Sequence, residues 1–246
     1  MIELAQIPTR APEGLKKKEV KAEAKRLAKR LAQLQYLLYA EKKHSVLVVF
    51  QGMDTSGKDG ATRNAFRYCS PSGVSAYSFK KPTDLEFAHD FLWRVQKSSP
   101  AKGDIQIFVR SHYEDILIQR VHAWIDEKRV KARMDAINAY ERNLTLDNQT
   151  LVIKFYMHLS REHQQVKLQE RIDDPLKQWK HNPDDWKEAE LWDNYRKCYE
   201  DAINWSEIPW YIIPVDQRWY RNYLITKILV ERLEALQMQL PVLAIQ

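Results

Sequence analysis

Gly52-Met-Asp-Thr-Ser-Gly57-Lys58 has the spacing GxxxxGK, and with Gly60 it gathers three of the chain's six glycines into nine residues. Glycines clustered this way let successive N–H groups converge on phosphate oxygens, while a following helix N-terminus adds positive potential and Lys58 an ammonium. Ser56, Gly57, Asp59 and Gly60 belong to the same cradle. An ordinary loop of this kind places a Ser or Thr hydroxyl after the lysine to coordinate magnesium, but Asp59 stands there. Asp54, inside the loop, is a hard oxygen donor able to take over that role. A turn residue bonding its own backbone is the competing reading. A carboxylate beside bound phosphates would otherwise be repelled, which favours the metal.

A second group of charged residues follows the run Asp104–Val109, where Arg110 and Glu114 sit in Arg-Ser-His-Tyr-Glu. At the carboxyl end of a parallel strand these side chains reach the edge at which ligands bind. Strands of this type normally finish with an acidic magnesium anchor, yet position 109 is Val. Further on, Arg171, Lys177, Lys180 and Lys187 fall in a stretch broken by Pro175 and Pro183 with no apolar period, which reads as a mobile excursion. Such a segment is either a solvated charged loop or a lid closing cations over a reacting phosphoryl group. His89, His112, His122 and His158 have no metal-ligand spacing and are read as surface or core residues.

The elements that must position these residues alternate. A helix over 19–41 carries Val20, Leu27, Leu31, Leu34 and Leu38 on one face. Strands are expected at 45–50, 74–79, 104–109, 150–159 and 210–215. Helices are expected at 61–68, 84–96, 113–125, 133–146, from Ser160, and over 220–236. Strands alternating with helices imply an α/β fold, a three-layer arrangement with a five-stranded parallel sheet and helices on both faces. No Gly/Ser linker or repeat divides the 246 residues, so one domain is expected, with residues 1–44 as a basic extension and helix.

With 44% hydrophobic and 29% charged residues the chain has material for a core, which excludes disorder as the main description. A net charge of +6 suits a polyanionic ligand. Cys69 and Cys198 alone exclude a disulfide-dense scaffold or a Cys-based zinc ribbon, and a reducing cytoplasm is the expected compartment. The longest strongly apolar run, Val46–Phe50, is far too short to span a bilayer. The tryptophans are not strung along one basic groove, so nucleic acid is not an expected partner, nor is a membrane. Most of them are read as core anchors, with one of Trp179 and Trp186 a candidate to stack on adenine.

GMDTSGKDG resembles the GxDxxGKxG loop of the polyphosphate kinase 2 family, and FVRSHYED resembles its second motif. SFKKPTDLEFAHDFLWR, RIDDPLKQWK and PWYIIPVDQRWYRN are similar to further family segments in the same order, so the likeness spans about residues 15–240. The resemblance implies a P-loop kinase-like fold with a lid at about 171–187, moving phosphoryl groups between inorganic polyphosphate and nucleotides with Mg²⁺, Mn²⁺ being the alternative. It also implies adenine nucleotides, with guanine open, and a homodimer or homotetramer. Carried over by motif, Asp54 is a magnesium ligand, Lys58 and Arg110 bind phosphate at the reacting centre, and Arg171 and Lys180 are lid or channel cations. Arg63 and Arg120 match basic positions near the phosphate path. The SHYE form of the motif is similar to the branch associated with both AMP and ADP, which makes Glu114 a candidate for acceptor selection and a second metal ligand. Val109 departs from the family's Asp or Asn. An ATP-dependent nucleotide kinase and a non-catalytic polyanion binder are the alternative functions.

Overall fold

The computed structural model describes residues 1–242. Five strands, β1 (Ser45–Gln51), β2 (Val74–Ser78), β3 (Ile105–Val109), β4 (Thr150–His158) and β5 (Trp210–Pro214), form one sheet in the order β2-β3-β1-β4-β5. Every pairing is parallel. Phe50 lies opposite Val109 on one side and Phe155 on the other, so the chain leaves β1 and β3 at the same edge. All seven residues of β1 are buried, which requires cover on both faces of the sheet and explains why the strand reads as a continuous apolar run. Removing each of Val46–Phe50 from water contributes roughly 1.5–3 kcal/mol, and a charge introduced at Val48 would meet no partner there.

The helices in chain order are α1 (Lys17–Glu41), α2 (Lys58–Ala65), α3 (Asp84–Phe87), α4 (Trp93–Gln96), α5 (Glu114–Val121), α6 (Glu127–Asp147), α7 (Arg161–Asp173), α8 (Asp184–Glu190), α9 (Trp192–Trp205) and α10 (Arg218–Glu234). Helices α1, α2 and α10 pack on one another, and α5 contacts both α6 and α9. The expected five-stranded parallel α/β architecture is therefore present.

Several elements depart from the sequence reading. The helix expected over 84–96 is two single turns. Thr83 and Glu86 form a capping box that starts α3, and Asp90 then takes the N–H of Leu92 at 2.9 Å, so the chain restarts at α4. Helix α5 stops at Val121 because Ala123 turns left-handed at φ 53°, and α6 begins six residues before the expected 133 on the Asp126 cap. The segment read as a mobile excursion folds into the end of α7, a 3-10 turn at Gln178–Lys180 and α8. Its charged side chains pair internally: Arg171 with Asp185, and Lys177 with Asp174 at 2.8 Å. Helix α9, which was not anticipated, carries Trp192, Tyr195 and Tyr199 on one side at helical spacing.

A charged cluster lies beneath the turn after β3. Lys154 of β4, fully buried, donates to Glu141 of α6 at 2.6 Å and to the Tyr113 hydroxyl at 2.7 Å. Tyr113 and His112 both donate to the other oxygen of Glu141, at 3.0 and 3.2 Å. Burial alone would raise the Glu141 pKa, but Lys154 and His112 outweigh it and hold the carboxyl below its usual range.

Candidate active site

The loop between β1 and α2 is shaped by close approach. At Gly52, φ 153°, a Cβ would stand 2.9 Å from both the Cβ and the carbonyl oxygen of Met157 on β4. Gly57 sits at φ 83°, and a Cβ there would collide with the Arg221 guanidinium. Lys58 folds back over the loop, donating to the carbonyls of Gly52 at 2.6 Å and Met53 at 3.0 Å. Burial pulls its pKa down to about 8, against the opposing pull of Asp54.

Asp54 and Arg110 meet at the mouth of the sheet, with Arg110 Nη2 donating to Asp54 Oδ1 at 2.7 Å. Burial would raise the Asp54 pKa, but Lys58, Arg110 and Arg171 together hold it below the ordinary value. Burial likewise opposes the charge on Arg110, and Asp54 and Glu114 more than offset it. Arg110 itself is left-handed at φ 59°, as is Thr55 at 67°. Backbone strain of this kind costs on the order of 1–3 kcal/mol and concentrates at functional sites. Behind them Gln51 donates to Glu114 at 2.5 Å and accepts from Ser111 at 3.1 Å, fixing the first turn of α5 against β1. Burial raises the Glu114 pKa even though Arg110 and Lys58 pull it down.

Two clefts open from this point. The larger, about 640 Å³, has ten Lys or Arg residues on its walls against three carboxylates, a surplus that suits a chain of phosphates. Lys58, Arg63, Arg171 and Lys180 are among them, together with Ser56, Gly57, Asp59, Gly60 and Val109. The smaller, about 230 Å³, is lined by Asp54, Glu114, Asp185 and Glu188 and by the rings of Trp192, Tyr195 and Tyr199. Asp54 and Arg110 line both.

Of the loop and motif residues, the structure gathers all but one into two joined clefts, while Lys187, read as a candidate lid cation, lines neither and pairs with Asp184 at 2.9 Å. Arg120 is the exception. It is bound to Glu127 and Asp201, each at 2.7 Å, lies over Trp205, and lines neither cleft. Trp179 borders the basic cleft and is 78% exposed, whereas the aromatic rings of the acidic cleft come from α9. Sequence reasoning missed Arg221, which is buried, donates to the Gly57 carbonyl at 3.3 Å and has no carboxylate partner among the described residues. Burial, with the neighbouring Arg218, lowers its pKa to about 10. The signal was there in Arg-Trp-Tyr-Arg, but only the packing of α10 against α2 shows which arginine points at the loop.

No group of three or more His, Cys, Asp or Glu side chains among the described residues can hold a metal by itself. Asp54 and Glu114 do border one cleft, and one or two carboxylates completed by water and substrate phosphate is the usual way a protein holds magnesium. The donor set therefore fits. No described helix is long and apolar enough to cross a membrane.

The model of the polyphosphate kinase 2 family matches residues 14–241. An AMP/ADP-polyphosphate phosphotransferase of Meiothermus ruber is 47% identical over 236 residues, 95% of this chain and 88% of that protein. An ADP-polyphosphate phosphotransferase of Rhodopseudomonas palustris is 35% identical, covering 98% of this chain and 88% of the relative. The crystal structure of a polyphosphate kinase 2 from Arthrobacter aurescens superposes with a TM-score of 0.95 at 35% identity, over 100% of this chain and 89% of that one.

Proposed function

This chain belongs to the polyphosphate kinase 2 family, and on that premise we propose that it transfers phosphoryl groups from inorganic polyphosphate to both AMP and ADP, with Mg²⁺. One observation carries the reading: a basic cleft and an acidic, aromatic-walled cleft meet at Asp54 and Arg110. The polyphosphate end lies in the basic cleft, where the Gly52–Gly60 loop offers N–H groups and Lys58, Arg171 and Lys180 offer charge. The nucleotide enters the acidic cleft with its base against Trp192, Tyr195 or Tyr199 and its terminal phosphate toward Arg110. Its terminal oxygen attacks the end phosphorus in line, the bridging oxygen leaves with the shortened chain, and no protein nucleophile is needed. Arg110 exchanges Asp54 for the transferring group, since its cationic charge is stabilised where negative charge is spread over the equatorial oxygens.

Asp54, released from Arg110, and Glu114 are the residues that would hold Mg²⁺ or Mn²⁺. When bound, the cation supplies charge stabilisation at phosphoryl oxygens. Glu114 also bears on acceptor choice, because AMP brings one phosphate fewer and the Glu114 carboxylate would hold a second cation that compensates for it. Glu114→Gln is expected to lower kcat/KM for AMP several-fold more than for ADP, as read by chromatography of the products.

Val109 lines the basic cleft but its side chain offers no oxygen, and this favours a second reading in which the protein binds polyphosphate without turnover. Purified protein incubated with AMP or ADP, polyphosphate and Mg²⁺ decides between them. Formation of ADP or ATP that is lost in Lys58→Ala supports transfer. Binding of polyphosphate without any new nucleotide, with turnover appearing in Val109→Asn, supports the second reading. ATP consumption in place of polyphosphate would make the chain an ordinary nucleotide kinase.

A further inference from the structure

The basic cleft does not end at the lid. Asn64, His163, Lys167, Arg218 and Asn222 on its wall are also walls of a third groove, about 680 Å³, that runs outward between α1, α2 and α10. That groove adds Lys17, Lys21, Lys25 and Arg67. The three lysines stand four residues apart on α1 and so form one stripe along the helix. All four side chains are exposed, and none has a carboxylate within 4 Å among the described residues. The groove's one acid, Asp216, is occupied by the Thr9 hydroxyl at 2.7 Å and the Ser160 N–H at 3.1 Å.

A row of unpaired cations repels itself, and nothing in the core requires it. A linear polyanion too long for the first cleft would neutralise it, with Lys167 and Arg218 carrying the chain across the junction. We propose that this groove is a distal subsite for polyphosphate, holding the far part of long chains while their end occupies the reacting cleft. The proposal rests on the functional reading above and adds to it a donor-length preference. Short donors reach only the loop and lid; long ones gain the additional charge contacts.

The test compares Lys21→Glu/Lys25→Glu and Arg67→Glu with the wild type, using tripolyphosphate and long-chain polyphosphate as donors. Lys29→Glu, on the same helix but outside the groove, matches the charge change of Arg67→Glu, and Lys18→Glu/Lys29→Glu matches that of the double variant. The expected result is a KM for the long chain raised about tenfold in the double variant, against less than about twofold for tripolyphosphate, as for the loss of a few screened contacts to a charged strand. The salt dependence of the long-chain KM should flatten by roughly 0.7 in logarithmic slope per lost contact. Equal effects on both donors, no effect on either, or an equal effect in the charge-matched control would overturn the proposal. A wild type that transfers from neither donor would sink the functional reading instead. The groove is then decided by calorimetric titration with long-chain polyphosphate, where weaker binding in the double variant supports it and unchanged binding refutes it.

Discussion

Lys58 is buried on the carbonyls of Gly52 and Met53, so its charge is held at a cost that phosphate would remove. In the free protein it loses its proton near pH 8, well below the ordinary 10.5. The profile of kcat/KM is therefore expected to fall as pH rises through about 8, because the neutral amine no longer attracts the donor. The kcat profile should fall at higher pH, since bound phosphates favour the ammonium. Stability follows the opposite sign: between about 8 and 10.5 the unfolded chain binds the proton that the folded one has released, so folding strengthens as pH rises through that window. Lys58→Ala should abolish the activity limb and lower kcat/KM by on the order of 100-fold or more, as for loss of a main electrostatic stabiliser. Were the alkaline limb to stay in Lys58→Ala, another group would own it.

At the scale of elements, the loop is locked from outside by α10. Gly57 is left-handed and sits against the Arg221 guanidinium, so Gly57→Ala adds both backbone strain and a collision. It is expected to lower urea-unfolding stability by about 1–3 kcal/mol and to displace Arg221 from the cleft. Adding Arg221→Ala should restore part of the stability, because the collision is gone, but not the activity. Full recovery of both would show that Arg221 does not serve the donor. The pairing of Arg171 on α7 with Asp185 on α8 belongs to the same scale: it brings one wall of each cleft together beside Asp54.

For the whole molecule, the cluster of Lys154, Glu141, His112 and Tyr113 ties β4, α6 and the turn after β3 into one unit. Lys154→Met leaves Glu141 buried without its cation and should cost about 3–5 kcal/mol in chemical unfolding. Lys154→Met with Glu141→Leu should recover most of that loss, since a matched apolar pair needs no solvation. Glu141 also contributes to the acid limb of stability. Its folded pKa lies below 4.5, so its contribution is full above that value and disappears as pH falls through the lower folded one. An acid-unfolding midpoint unchanged in Glu141→Gln would rule out that contribution.

The alternation of apolar runs with helical stretches was readable because a parallel strand buried on both faces needs largely apolar sequence, as Val46–Phe50 has throughout and β4 has apart from Thr150, Lys154 and His158. The phosphate loop was readable because its glycines answer a local backbone demand at Gly52 and Gly57. Charged and aromatic residues carry no such local signature. Helix α9 went unrecognised because Trp192, Tyr195 and Tyr199 sit among charges, and their common face acquires meaning as the wall of a cleft. Arg120 and Arg221 look alike as basic residues in the sequence; Arg120 is spent on Glu127 and Asp201, while Arg221 has no carboxylate partner among the described residues and donates to the Gly57 carbonyl of the loop. Which cation meets phosphate depends on distances between segments far apart in the chain, and so does the meeting of an acidic cleft and a basic one at Asp54 and Arg110. Sequence determines the period and the local turn; the partner of each long charged side chain is set when helices and sheet pack.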